Sequence, residues 1–234
     1  MNPNQKKYQH IFFDLDHTLW DFETNSKMAL NILFDDHLKN ASFSFDAFFS
    51  YYQHVNAFCW KQYREGKMTK EILRVKRFSD AFAQFDVHDA DLAHLFADGY
   101  LELSPYQTNL MPGAISLLDY LKNKGYTLHI ITNGFEEVQS IKMRESGLNP
   151  YFDQIIISEL LEHKKPHPTV FLHALHLANT EALTSAMVGD NLEADILGAQ
   201  NVGVDGIFFN PNGQTHDESV RFEIGSLAEI ENIL

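Results

Sequence analysis

The first apolar run of the chain, His10-Ile11-Phe12-Phe13, stops abruptly at two carboxylates, Asp14 and Asp16. From about Met111 onward apolar runs recur at residues 127–132, 154–158, 186–190 and 205–209. The stretches between them carry helical spacing, and turn residues such as Gly125, Gly147-Leu148-Asn149-Pro150 and Gly203 mark the joints. Strands alternating with helices predict an α/β protein with a parallel sheet covered by helices. Residues 222–224 and 227–234 predict an edge strand and a closing helix.

Residues 20–105 follow a different pattern, with no convincing strand and apolar positions at helical spacing. Phe45, Phe48, Phe49, Tyr52, Val55 and Cys59 share one expected face; Leu30, Leu33, Phe34 and Leu38 another; Ile72, Val75, Ser79 and Phe82 a third; Leu92, Leu95 and Phe96 a fourth. The expected organisation is a core formed by residues 1–19 and 106–234 with a helical insertion, residues 20–105, standing as a lid above Asp14.

Composition changes this picture mainly by exclusion. A formal charge of -14 argues against nucleic-acid polymers and anionic membranes, which need clustered Lys and Arg. It leaves room for a small phosphorylated metabolite, which needs only a local cation. The single cysteine, Cys59, rules out an intramolecular disulfide framework and reads as a packed apolar thiol in a reducing, cytoplasmic setting. The polar stretch at residues 1–9 leads directly into a strand, so no signal peptide is expected, and no apolar stretch approaches the roughly 18 residues of a membrane span. No pair among the 12 histidines has zinc spacing with a third ligand; His163 and His167 flank Lys165 and are expected in a solvated loop.

In an open parallel sheet, ligands bind beyond the carboxyl ends of the strands, near the switch in strand order. The strand ends here deliver Asp14 and Asp16, then Thr132-Asn133-Gly134, then Lys164-Lys165-Pro166, then Asp190 and Asp195. Each group alone is a common turn or helix-cap signal. Together they supply what phosphoryl transfer requires: a carboxylate nucleophile, an ammonium and hydroxyl to offset charge, and carboxylates able to hold a cation. Mg2+ suits such an oxygen-rich site.

In their order and over essentially the whole chain, these motifs resemble those of the haloacid dehalogenase superfamily of phosphatases. The resemblance implies a doubly wound, Rossmann-like core with an inserted helical cap. It implies Asp14 as nucleophile and Asp16 as general acid and base, with the Asp16 backbone carbonyl also on the metal. It further implies Thr132 and Asn133 as phosphate-binding groups, Lys165 as a clamp on phosphate and nucleophile, Asp190 as a metal ligand and Asp195 as an orienter of the metal's water shell. The stretch Asp16-His17-Thr18-Leu19-Trp20-Asp21-Phe22 is most similar to a branch that dephosphorylates pyrimidine and modified nucleoside monophosphates.

The implied protein is a Mg2+-dependent phosphomonoesterase acting through an aspartyl phosphate, with a nucleoside monophosphate as substrate. Sugar phosphates, phosphoglycolate and a phosphomutase reaction remain open, as does the choice between monomer and homodimer. A dehalogenase attacking carbon has no need of Asp16. A non-enzymatic receiver module carries its phosphorylated aspartate after a later strand and lacks a large insertion after the first. Phe43, Phe58, Trp60 and Tyr63 in the insertion, and Trp20 and Phe22 at its root, are the aromatic candidates for a nucleobase surface, against the competing reading that they pack cores and seat the hinge.

Overall fold

A computed structural model describes residues 7–234; residues 1–6 of the polar stretch at the start lie outside the described residues. The chain forms two compact units, one from the described residues up to Phe22 together with Thr108–Leu234, the other from Glu23–Gln107.

The first unit is built on six parallel strands. They are β1 (His10–Phe13), β2 (Thr127–Thr132), β3 (Phe152–Ile157), β4 (Ser185–Gly189), β5 (Asp205–Phe209) and β6 (Phe222–Ile224), in the order β3-β2-β1-β4-β5-β6. The two-residue period of the strands divides their side chains between two cores. Ile11, Phe13, Leu128, Ile130, Ala186 and Val188 enter one, with Leu117, Leu118 and Leu121 from the helix Ala114–Asn123. Phe12, Ile131 and Met187 enter the other, with Val170, Phe171 and Ala174 from the helix Pro168–Leu177. Strands apolar on both faces are what a doubly wound sheet needs. The expected edge strand forms; the closing segment forms a short 3₁₀ helix, Leu227–Asn232, started by Ser226 and Glu229 bonding reciprocally.

The second unit holds α1 (Phe22–His37, entered from Phe22), α2 (Phe45–Arg64), α3 (Lys70–Ala83) and α4 (Ala90–Leu103). Ser44, Thr69 and Asp89 start α2, α3 and α4 by accepting backbone N–H bonds at 3.3, 3.4 and 2.9 Å. The core-facing side of α1 agrees with the sequence: Leu30, Leu33 and Phe34 are buried and Leu38 packs at the margin. On α2, Phe48, Phe49, Tyr52 and Cys59 are buried, and burial pushes the Cys59 thiol up from its ordinary value.

Two faces differ from expectation. On α3 the buried residues are Leu73, Arg77, Phe78, Ala81 and Phe82, while Ile72 is 51% exposed and Ser79 only half-buried. On α4 they are Ala93, Phe96, Ala97 and Tyr100, with Leu95 turned outward. On α3 the true stripe includes a charged residue, Arg77, whose guanidinium lies over the Phe78 and Tyr100 rings, so apolarity alone selects a rotated face.

Continuing the numbering, α5 is Ala114–Asn123, α6 is Glu136–Glu145, α7 is Pro168–Leu177 and α8 is the short Gly198–Gln200. At the root of the insertion the two passing segments are tied together. Asp21 N donates to Asn109 O at 3.0 Å, Met111 N donates to Leu19 O at 2.8 Å, and Trp20 pairs antiparallel with Leu110.

Candidate active site

β1 and β4 are neighbours at the point where the strand order reverses, and Asp14 extends β1 by donating its N–H to Val188 O at 2.9 Å. The chain then turns back on itself: Leu19 and Trp20 N–H groups both donate to Leu15 O at 2.9 Å, and His17 adopts a left-handed φ of 65°. This compact turn sends Asp16 and Thr18 to different partners. The buried Thr18 hydroxyl donates to Asp190 Oδ1 at 3.0 Å and accepts from Asp190 N at 3.1 Å, tying the β1 turn to the end of β4.

Lys165 is the electrostatic centre. Its ammonium donates to Asp14 Oδ1 and contacts Asp195 Oδ1, both at 2.7 Å, and donates to the Ile131 carbonyl at 2.5 Å. Burial alone opposes a charged ammonium, but Asp14 and Asp195 outweigh it and hold the Lys165 pKa above its ordinary value. The loop that presents Lys165 is fastened through Asn133. The Asn133 carboxamide oxygen accepts from Lys165 N at 2.9 Å and from the Ser158 hydroxyl at 2.6 Å, and its NH2 donates to Lys165 O at 3.0 Å. The Asn133 side chain is therefore committed to bracing this loop.

Asp195 lies on a wide, π-type helical turn, Leu192–Leu197, a distortion common at functional sites. Its Oδ2 accepts from Asn191 N at 3.0 Å. A β-carbon on Gly189 would overlap the Asp195 carboxylate, so glycine there is required by the side chain that passes over it.

Asp14, Asp190 and Asp195 each place a carboxylate oxygen within 4.8 Å of the others, a grouping able to hold a metal ion. Burial, reinforced by Asp195 and Asp190, pushes the Asp14 carboxyl well above its ordinary range even with Lys165 opposing it. Burial and Asp195 push Asp190 up to about 7. A concentration of buried negative charge that one lysine does not neutralise fits a divalent cation.

Asp16 has separate partners on α6. Lys142 Nζ donates to Asp16 Oδ1 at 2.5 Å and Gln139 Nε2 donates to Asp16 Oδ2 at 2.8 Å. Gln139 Nε2 also donates to Thr132 Oγ1 at 2.7 Å, and Thr132 Oγ1 accepts from Gly134 N at 3.1 Å. One amide thus joins the ends of β1 and β2.

The residues expected from sequence lie at one rim: Asp14, Asp190, Asp195 and Lys165 in direct contact or within the cluster, Asp16 and Thr132 joined through Gln139, and Asn133 behind Lys165. Sequence reasoning missed Thr18, Gln139, Lys142 and Ser158 as parts of this arrangement. Thr18 stands inside the first motif, but Gln139 and Lys142 look like ordinary surface residues of a polar helix. Among the aromatic candidates, Trp20 is fully buried with the Lys142 ammonium 3.9 Å from its ring centroid, Tyr63 is buried and Phe43 stacks on Phe85 at 4.2 Å. Phe58 is exposed and Trp60 half-buried edge-on to Tyr63. His163 and His167 stack on each other at 3.7 Å, and His167, exposed as expected, also caps α7.

Residues 11–209 match the family model described as haloacid dehalogenase-like hydrolase. The pyrimidine 5'-nucleotidase PynA of Streptococcus pneumoniae is 35% identical over 207 residues, 88% of this chain and 85% of that protein. The pyrimidine 5'-nucleotidase YjjG of Escherichia coli is 34% identical over 231 residues, 97% of this chain and 98% of that protein. A crystal structure of the HAD-hydrolase YfnB of Bacillus subtilis, bound to magnesium, superposes with a TM-score of 0.87 at 30% identity, covering 97% of this chain and 99% of that one.

Proposed function

Because the chain belongs to the haloacid dehalogenase-like hydrolases, we propose that it is a magnesium-dependent phosphomonoesterase that hydrolyses nucleoside 5'-monophosphates through a phosphorylated Asp14. The observation that carries this reading is the Lys165 ammonium held between Asp14 and Asp195 beside Asp190 at the strand-order switch. Lys165 binds Asp14 through Oδ1 alone, which leaves Oδ2 as the oxygen to attack phosphorus.

In the first half-reaction an Asp14 oxygen forms a bond to phosphorus as the ester P–O bond breaks. Asp16 gives its proton to the leaving oxygen, which departs as the nucleoside alcohol. In the second, Asp16 takes a proton from water as that water bonds to phosphorus, and the P–O bond to Asp14 breaks to release phosphate. Lys165 offsets charge on the transferring group, Thr132 orients it by hydrogen bonding, and Asn133 contributes by fixing the Lys165 loop through its side chain. Bound Mg2+ would supply further positive charge, held by Asp14, Asp190 and the Asp16 carbonyl with Asp195 beside them. The helical unit, Glu23–Gln107, takes the role of the substrate-selecting cap. The specificity for nucleotides rests on similarity to the pyrimidine 5'-nucleotidases PynA and YjjG, which spans most of the chain.

Phosphate release from a panel of nucleoside monophosphates and sugar phosphates, with and without Mg2+, tests this directly. Turnover is expected to require Mg2+, to favour nucleotides and to fall by at least about a thousandfold in Asp14→Asn. Unchanged turnover in that variant would overturn the mechanism, and a preference for sugar phosphates would overturn the substrate class.

A further inference from the structure

The buried side of α6 consists of Gln139, Lys142 and Met143. Two polar residues at helical spacing on a core-facing side are costly, since a lysine 3% exposed must be desolvated and an apolar residue of similar size would serve packing better. Both polar groups meet at one carboxylate. Lys142 holds Asp16 Oδ1 and Gln139 holds Asp16 Oδ2, so neither oxygen is free to rotate about the carboxylate axis.

The holders are themselves fixed. The Lys142 ammonium lies 3.9 Å from the Trp20 ring centroid and 5.5 Å from that of Phe22, cation–π contacts that confine it to a single direction. Gln139 divides its two donor hydrogens between Asp16 and Thr132, leaving its buried carbonyl oxygen without a partner. Accepting an unpaired oxygen of that kind is unfavourable and indicates that the direction of the NH2 group is what matters. Gly134 conforms to the same need, because a β-carbon there would overlap the Gln139 amide.

The geometry points to Lys142 and Gln139 as a pair of positioning residues that orient Asp16 for proton transfer and lock it to the phosphate-side Thr132. The inference rests on the proposed role of Asp16 as general acid. It assigns to α6 a part in transferring the proton to the leaving group, whereas Lys165 and the carboxylate cluster act on the phosphoryl group.

The two halves separate by leaving group. A nucleoside 5'-alkoxide leaves only with a proton, whereas p-nitrophenolate leaves without one. The kcat/KM values for both substrates report the steps up to phosphorylation of Asp14, and would be measured for the natural protein, Asp16→Asn, Lys142→Met, Lys142→Arg and Gln139→Leu. Lys142→Met and Gln139→Leu are expected to lose about 100-fold on the nucleotide, within the span of general acid catalysis, and less than about threefold on p-nitrophenyl phosphate. Lys142→Arg should recover most of the loss. An equal loss on both substrates, or no loss, would overturn the positioning role. If Lys142→Met does not fold, Gln139→Leu carries the same comparison alone. Asp16→Asn keeps the outcomes distinct: a leaving-group effect in Asp16→Asn without one in the α6 variants defeats this inference only, while its absence in Asp16→Asn defeats the assignment of Asp16 and this inference with it.

Discussion

His129 sits buried in β2 with its ring stacked on Phe12 and its Nε2 3.0 Å from His10 Nδ1, while its own Nδ1 has no partner. Burial, aided by His10 and by Lys122 against the opposing Asp153, lowers its pKa from 6.5 to about 4. The unfolded chain therefore binds a proton near pH 6.5 that the folded chain refuses until about pH 4. Its contribution to stability is complete above pH 6.5 and is lost as pH falls toward 4, by about 3 kcal/mol. Denaturant titrations of the natural protein and His129→Gln should show the natural protein weakening relative to the variant across that interval; a constant difference would refute it. A second residue-scale expectation concerns Gly189, where alanine must displace the Asp195 carboxylate from Lys165. Gly189→Ala should cost about 1–3 kcal/mol in stability and lower activity at least tenfold, read by thermal melting and phosphate release.

Among the elements, α3 separates what the sequence makes legible from what it hides. Ile72 belongs to the most apolar reading of the helix yet is exposed, whereas Phe78 is fully buried with its ring stacked on Tyr52. Phe78→Ala should cost about 3–5 kcal/mol, while Ile72→Ala should change stability by less than about 0.5 kcal/mol, as melting of the two variants would show. Strands were readable because those buried on both faces are largely apolar, His129 and Thr132 of β2 apart, and the expected starts and ends differ from the observed ones by no more than a short shift, as at β3. The helix faces were less readable because burial of Arg77 depends on Asn56 from α2 and on the Tyr100 ring from α4, partners remote in sequence. The same holds for α6: a sequence as polar as Glu136–Glu145 gives no sign that Lys142 is buried, since its partners Asp16 and Trp20 come from the other end of the unit's chain.

For the molecule as a whole, the site residues fixed to strand ends were legible and those that orient them were not, because a strand end has a defined destination while a second contact depends on three-dimensional packing. Among the described residues, no helix is long and apolar enough to cross a membrane. The carboxylate cluster makes a prediction about the entire fold. With Asp190 near 7 and Asp14 well above its ordinary range, a cation must displace protons at low pH, so Mg2+ should raise Tm more at pH 8 than at pH 5.5. At a concentration about 100 times its dissociation constant the shift at pH 8 should reach about 5 °C or more. A shift equal at both pH values would show that these carboxylates do not carry the binding.

The pairing of residues 19–21 with 109–111 has a further consequence. The sheet receives the inserted chain through two stalks already joined, so the ends to be closed are close together whatever lies between them. Since the entropy of closing a loop grows only with the logarithm of its length, the number of residues beyond the stalks is nearly neutral to the sheet. The helical unit can then be lengthened, shortened or exchanged in the course of descent while Asp14 and Asp16 stay in register with β4 and α6. A hydrolase arranged this way can acquire new specificities without rebuilding its chemistry.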